Sequence, residues 1–155
     1  MAERGAGTAE LPTAADTVAL GVRLGGLLRA GDVVVLSGPL GAGKTVLAKG
    51  IAQAMDVEGP VISPTYVLAR VHPARRPQAP AMIHVDLYRL LDQASIDLLD
   101  ELDSLDLDTD LDDAVVVVEW GEGLAERLSD NHLDVRLERG QDTEIRTAVW
   151  QWSPP

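Results

Sequence analysis

The run Gly38-Pro39-Leu40-Gly41-Ala42-Gly43-Lys44-Thr45 constrains this chain more than any other feature. Its spacing is GxxxxGK[ST]. The glycines of that pattern let backbone N–H groups converge on an anion, and the helix that follows directs its positive dipole end at the same place. The flanks agree: Val33 to Leu36 is a short apolar run of the kind found in a strand buried on both faces, and Val46, Leu47, Ile51 and Ala54 follow at helical spacing, stopping before Gly59-Pro60. Strand, glycine loop and helix in that order are the context the pattern requires. With 14 glycines and only two lysines, Lys44 and Lys49, in 155 residues, a chance match arises on the order of once in a thousand such chains. A plain glycine turn is therefore the minor alternative. Read chemically, Lys44 is a point charge for the β- and γ-phosphates of a nucleotide, and the Thr45 hydroxyl is a hard oxygen donor for Mg²⁺.

Composition narrows the surroundings. A length of 155 residues suits one domain with one core, here residues 12–155, behind a loose Gly/Ala tail over 1–11. Phe is absent and aromatics make up 3%, so aliphatic side chains must fill the interior. The net charge of −12 repels phosphate backbones, which excludes a strong grip of the chain's own on nucleic acid. Zero cysteines remove disulfides, thiolate metal sites and thiol nucleophiles, and fit a reducing cytosol. No apolar run is long enough to span a bilayer and the first ten residues lack the apolar stretch of a signal peptide, so a cytoplasmic protein is expected.

Along the chain, Thr13 or Asp16 is positioned to cap a helix with Val18, Leu20, Leu24, Leu27 and Leu28 on its apolar stripe, ended by Gly31-Asp32. Tyr66 to Val71 and Met82 to Val85 are strand-forming runs close enough to pair as an antiparallel hairpin across His72 to Pro80. A helix is expected over Ser95 to Leu105, a strand over Ala114 to Val118, a short helix over Gly123 to Leu128, and an antiparallel edge from Leu133 to Leu137 and Ile145 to Trp152. Trp150 and Trp152, two apart on that last strand, share a face and cover the sheet. The order implies an α/β fold: a single P-loop NTPase-like domain with a mixed β-sheet flanked by helices.

Two apolar strands end in a carboxylate, at Asp86 and at Glu119. Strand C-termini face the ligand crevice of an open α/β sheet, so both acids are candidates for the magnesium shell provided their strands run parallel to the first. Thr65 lies on the loop after the second helix, where other P-loop proteins keep a segment that senses the γ-phosphate. The acidic stretch from Asp97 to Asp113 places carboxylates at 106, 108 and 110. It fails as a calcium loop because Leu111 stands where Gly is needed and Val117 where Glu is needed, and it reads as a solvated helix face or a surface for a basic partner. His72, His84 and His132 have no metal-ligand spacing and are assigned structural or surface roles.

Taken together, Gly38 to Thr45, Ser63-Pro64-Thr65-Tyr66, His84-Val85-Asp86-Leu87-Tyr88-Arg89 and Glu119-Trp120-Gly121-Glu122 resemble the TsaE (YjeE) family of bacterial ATPases in order and spacing, over roughly Thr13 to Trp152. The resemblance implies an ATPase partner of TsaB-like and TsaD-like proteins in making threonylcarbamoyladenosine at position 37 of tRNAs that read codons beginning with adenine, with tRNA met only through the complex. It implies that Gly41, Ala42, Gly43, Lys44, Thr45 and Val46 bind ATP phosphates and that Thr45 and Glu119 hold Mg²⁺. By the same resemblance Asp86 is needed for hydrolysis, Thr65 belongs to a switch-like loop, Trp120 lies beside the nucleotide and Thr17 near its base.

A small P-loop metabolite or nucleotide kinase is the rival reading, and Arg70, Arg75, Arg76 and Arg89 leave it open. A GTPase is disfavoured, because the only Asn is Asn131 and no guanine-reading Asn-Lys-x-Asp segment exists. The absence of an obvious arginine finger implies slow ATP turnover by the isolated chain.

Overall fold

The structure, a computed structural model, describes residues 5–39, 43–61, 69–86, 113–119, 132–140 and 145–153. The expected helices over 95–105 and 123–128 and the acidic stretch up to 112 lie outside them.

A seven-stranded mixed sheet organises the chain. Its strands are β1 (Gly7–Leu11), β2 (Val33–Ser37), β3 (Ala69–His72), β4 (Ala81–Asp86), β5 (Ala114–Glu119), β6 (His132–Arg139) and β7 (Arg146–Ser153), with helices α1 (Ala14–Gly25) and α2 (Lys44–Met55). Across the sheet the order is β1-β7-β6-β2-β5-β4-β3. The two most aliphatic strands are central, as strands buried on both faces must be: β2 runs parallel to β5 on one side and to β6 on the other, and β5 runs parallel to β4. The β3–β4 and β6–β7 pairs are antiparallel, as the sequence predicts.

Two expectations need correction. The segment before Leu11 is not loose throughout, because Gly7–Leu11 pairs antiparallel with β7 and forms the sheet edge. Its Gly and Ala content hid a strand that backbone pairing supplies. A Cβ on Gly7 would fall 2.3 Å from the Trp150 ring, so the edge lies directly against that indole. Consequently the β6–β7 hairpin is interior rather than an edge: β6 abuts β2 and β7 is covered by β1.

Helix α1 starts at a capping box. Thr13 Oγ1 accepts from the Asp16 N–H at 3.3 Å while Asp16 Oδ2 accepts from the Thr13 N–H at 2.9 Å, an arrangement typically worth about 1 kcal/mol. The helix ends at Gly25, earlier than the apolar stripe suggests, and Leu27 and Leu28 pack on the core from beyond it. Helices α1 and α2 approach so closely that a Cβ on Gly50 would lie 2.2 Å from the Val18 carbonyl oxygen, and one on Gly21 would lie 2.3 Å from that of Leu47. Leu20 and Leu24 of α1 and Leu47, Ile51 and Met55 of α2 join Val34, Leu36, Val115, Val117, Trp150 and Trp152 of the sheet in one core. Each such side chain contributes roughly 1.5–3 kcal/mol on burial. The helix behind the glycine loop is thus backed by both the sheet and α1. No helix among the described residues is long and apolar enough to cross a membrane.

Candidate functional site

Parallel pairing brings the C-terminal ends of β2, β5 and β4 side by side. Leu36 is in register with Glu119, and Glu119 with Asp86, so both strand-end acids stand beside the point where β2 turns into the glycine loop. The turn begins at Gly38, with φ 135° and a backbone pressed against β6: a Cβ there would sit 2.1 Å from the Leu137 carbonyl oxygen. Only glycine is compatible with both conditions.

Gly43 precedes the first residue of α2, and no side chain caps the helix there. Lys44, 5% exposed, folds back over the loop and donates from Nζ to the carbonyl oxygens of Gly38 at 2.7 Å and Pro39 at 3.0 Å. One turn of loop therefore holds an ammonium group beside a helix N-terminus, an arrangement suited to a polyanion.

The next residue carries the second half of the site. The Thr45 hydroxyl donates to Glu119 at 3.1 Å to Oε1 and 3.2 Å to Oε2. Glu119 is 3% exposed, and burying a carboxylate costs several kcal/mol unless hydrogen bonds offset it. A second donor supplies such a bond: His84, fully buried on β4, lies with Nε2 2.5 Å from Glu119 Oε2. Among the described residues no group of three His, Asp or Glu side chains forms a cation cage. One carboxylate and one hydroxyl, both hard oxygen donors next to the glycine loop, fit Mg²⁺, which takes few protein ligands and keeps waters in much of its octahedron.

Other expected site residues are spread around this pair. Val46 is half-buried in the first turn of α2, and Thr17 is buried on α1, its Oγ1 without a hydrogen-bond partner among the described residues and its methyl 3.6 Å from where a Gly43 Cβ would lie. Gly41, Ala42, Thr65 and Trp120 lie outside the described residues.

The model of a family described as threonylcarbamoyl adenosine biosynthesis protein TsaE matches residues 11–148. The chain belongs to the TsaE family. The TsaE protein of Mycobacterium tuberculosis strain H37Rv is 74% identical over 148 residues, covering 96% of this chain and 88% of its own. That of Streptomyces coelicolor is 52% identical over 120 residues, 77% of each chain; that of Bacillus subtilis is 30% identical over 129 residues, 83% of this chain and 75% of its own. All three are described as tRNA threonylcarbamoyladenosine biosynthesis proteins. Among solved structures, the crystal structure of Bacillus subtilis YdiB matches with a TM-score of 0.68 at 22% identity, covering 97% of this chain and 87% of that one, a likeness of fold.

Two residues of this TsaE-family site escaped the sequence reading. His84, assigned there to a structural or surface role, is in direct contact with Glu119. Its signal was its place two residues before a strand-end acid. Arg146, at the start of β7, brings its Cδ to 3.5 Å and Nε to 3.7 Å of the Gly43 Cβ position, so a guanidinium stem lies beside the base of the glycine loop. Nothing local in the sequence signals that approach, which depends on β7 reaching the loop across β6.

Proposed function

We propose that this chain is a Mg²⁺-dependent ATP-binding protein, a slow ATPase when alone, that serves as accessory partner to TsaD-like and TsaB-like proteins in forming the threonylcarbamoyl group on adenosine 37 of tRNAs reading codons that begin with adenine. Membership of the TsaE family supports the role in tRNA threonylcarbamoyladenosine biosynthesis. The observation that carries the nucleotide chemistry is the meeting of Thr45 with Glu119 at the N-terminus of α2, beside the buried Lys44. Lys44 and the loop from Gly38 to Val46 bind the phosphates; Thr45 and Glu119 hold the cation; Asp86 and Thr65 serve hydrolysis; Thr17 and Trp120 flank the nucleoside. Bound Mg²⁺ supplies charge neutralisation between phosphate oxygens. The net charge of −12 supports contact with tRNA through the partners rather than by this chain.

Titration calorimetry with ATP tests the reading. Binding that tightens on adding Mg²⁺ and disappears in Lys44→Ala is the expected result. Equal uptake of ATP with Mg²⁺ and with EDTA, or tight binding by Lys44→Ala, would overturn it.

A further inference from the structure

We propose that His84 is a positioning residue for the cation site, acting through Glu119. The inference rests on the proposed Mg²⁺ role of Thr45 and Glu119, but its geometry is independent of it. Glu119 has two described donors, the Thr45 hydroxyl and His84 Nε2. With Glu119 already the acceptor for Thr45, the ring nitrogen facing it is the N–H, so His84 donates from Nε2. Nδ1, on the other side of the ring, is buried and has no hydrogen-bond partner among the described residues, so no second bond among them competes for the orientation of the imidazole.

The two donors differ in what a cation does to them. Thr45 has one hydroxyl oxygen, and giving its lone pair to a cation redirects the hydroxyl. His84 is held on an interior strand at 0% exposure, with Val117 in register across the ladder. It therefore remains on Glu119 Oε2 whether or not Thr45 does, and fixes the carboxylate so that Oε1 stays presented on the Thr45 side. Hydrogen-bonded partners behind a ligand set its orientation and commonly govern 10- to 100-fold in metal affinity. Two substitutions separate this role from packing. His84→Gln places an amide N–H near the position of Nε2 and retains the donor; His84→Leu retains bulk and removes it.

The measurement is calorimetry of ATP binding across a Mg²⁺ series and in EDTA, on the full chain. His84→Leu is expected to raise the Mg²⁺ concentration for half-maximal enhancement by about 10-fold or more, His84→Gln to restore it to within about 3-fold of wild type, and all three proteins to bind ATP alike in EDTA. Wild-type Mg²⁺ enhancement retained by His84→Leu overturns the inference alone. So does a loss of EDTA binding in step with the Mg²⁺ effect, since that marks a packing defect. A wild-type chain indifferent to Mg²⁺ overturns the proposed function and this inference together.

Discussion

Thr45 and Glu119 stand 74 positions apart in the chain and meet through a hydroxyl shared between both carboxylate oxygens, at 3.1 and 3.2 Å. The contact joins the first turn of the helix behind the glycine loop to the end of the neighbouring parallel strand, and so ties the two halves of the proposed site to each other.

Removing the charge of Glu119 while keeping its shape should therefore uncouple the cation from the nucleotide. Glu119→Gln is expected to weaken the Mg²⁺ enhancement of ATP affinity by about 10- to 100-fold and to leave affinity in EDTA near wild type. Paired calorimetric titrations check this, and a full Mg²⁺ effect in the variant would exclude Glu119 from the cation site.

Asp86 is the neighbouring strand-end acid, in register with Glu119, and its proposed part is in hydrolysis rather than grip. Asp86→Ala should bind ATP within about 3-fold of wild type and turn it over on the order of 100-fold more slowly, the scale of a lost acid–base or water-orienting group. Phosphate release under single-turnover conditions gives the answer; normal turnover would remove Asp86 from the chemistry.

How much of this was legible beforehand follows from how far each residue's role depends on distant pairing. Val33 to Leu36 and Val115 to Val118 announce themselves because strands buried on both faces are apolar at every position, and Lys44 and Thr45 are fixed by a local spacing. Asp86 and Glu119 were visible as acids ending such strands, though only the parallel ladders show that they are neighbours. His84 was not visible as a site residue, since what it touches depends on β5 lying next to β4. Strand β1 was missed because Gly7, Ala9 and Glu10 have little strand preference of their own and are held by β7. Arg146 reaches the loop only because two hairpin strands are stacked outside β2, an ordering with no counterpart in local pattern.

The close crossing of α1 and α2 yields a stability prediction. At Gly50 an added methyl would meet the Val18 carbonyl at 2.2 Å and the Gly21 Cα at 2.8 Å, both backbone and unable to swing aside. Gly50→Ala should cost about 1–3 kcal/mol by overpacking, read as a lower urea midpoint. Gly26→Ala is the contrast. Its backbone is right-handed helical, φ −67° and ψ −14°, and the nearest atoms to an added Cβ are 3.6 Å away; its midpoint should hold or rise, because the unfolded chain loses freedom. Equal midpoints in the two variants would refute the close crossing.

His72 gives the pH dependence. It is 1% exposed, and its Nδ1–H donates to the Glu58 carbonyl at 2.9 Å while Nε2 is buried without a partner among the described residues. Burial holds its pKa below the ordinary 6.5; the bond to the Glu58 carbonyl acts in the opposite sense, and the nearby His84 and Arg70 depress it further. Since the folded chain takes up this proton less readily than the unfolded one, the contribution to stability is complete above pH 6.5 and is lost as the pH falls below that value towards the folded pKa. His72→Asn keeps an N–H for the Glu58 carbonyl and removes the titration. Urea midpoints measured from pH 7.5 down to about 5 should therefore fall more steeply in wild type than in His72→Asn, with the two curves running parallel above pH 6.5. Identical slopes through the acid range would show that His72 keeps its ordinary proton affinity in the folded state, and that acid weakening of the fold arises elsewhere.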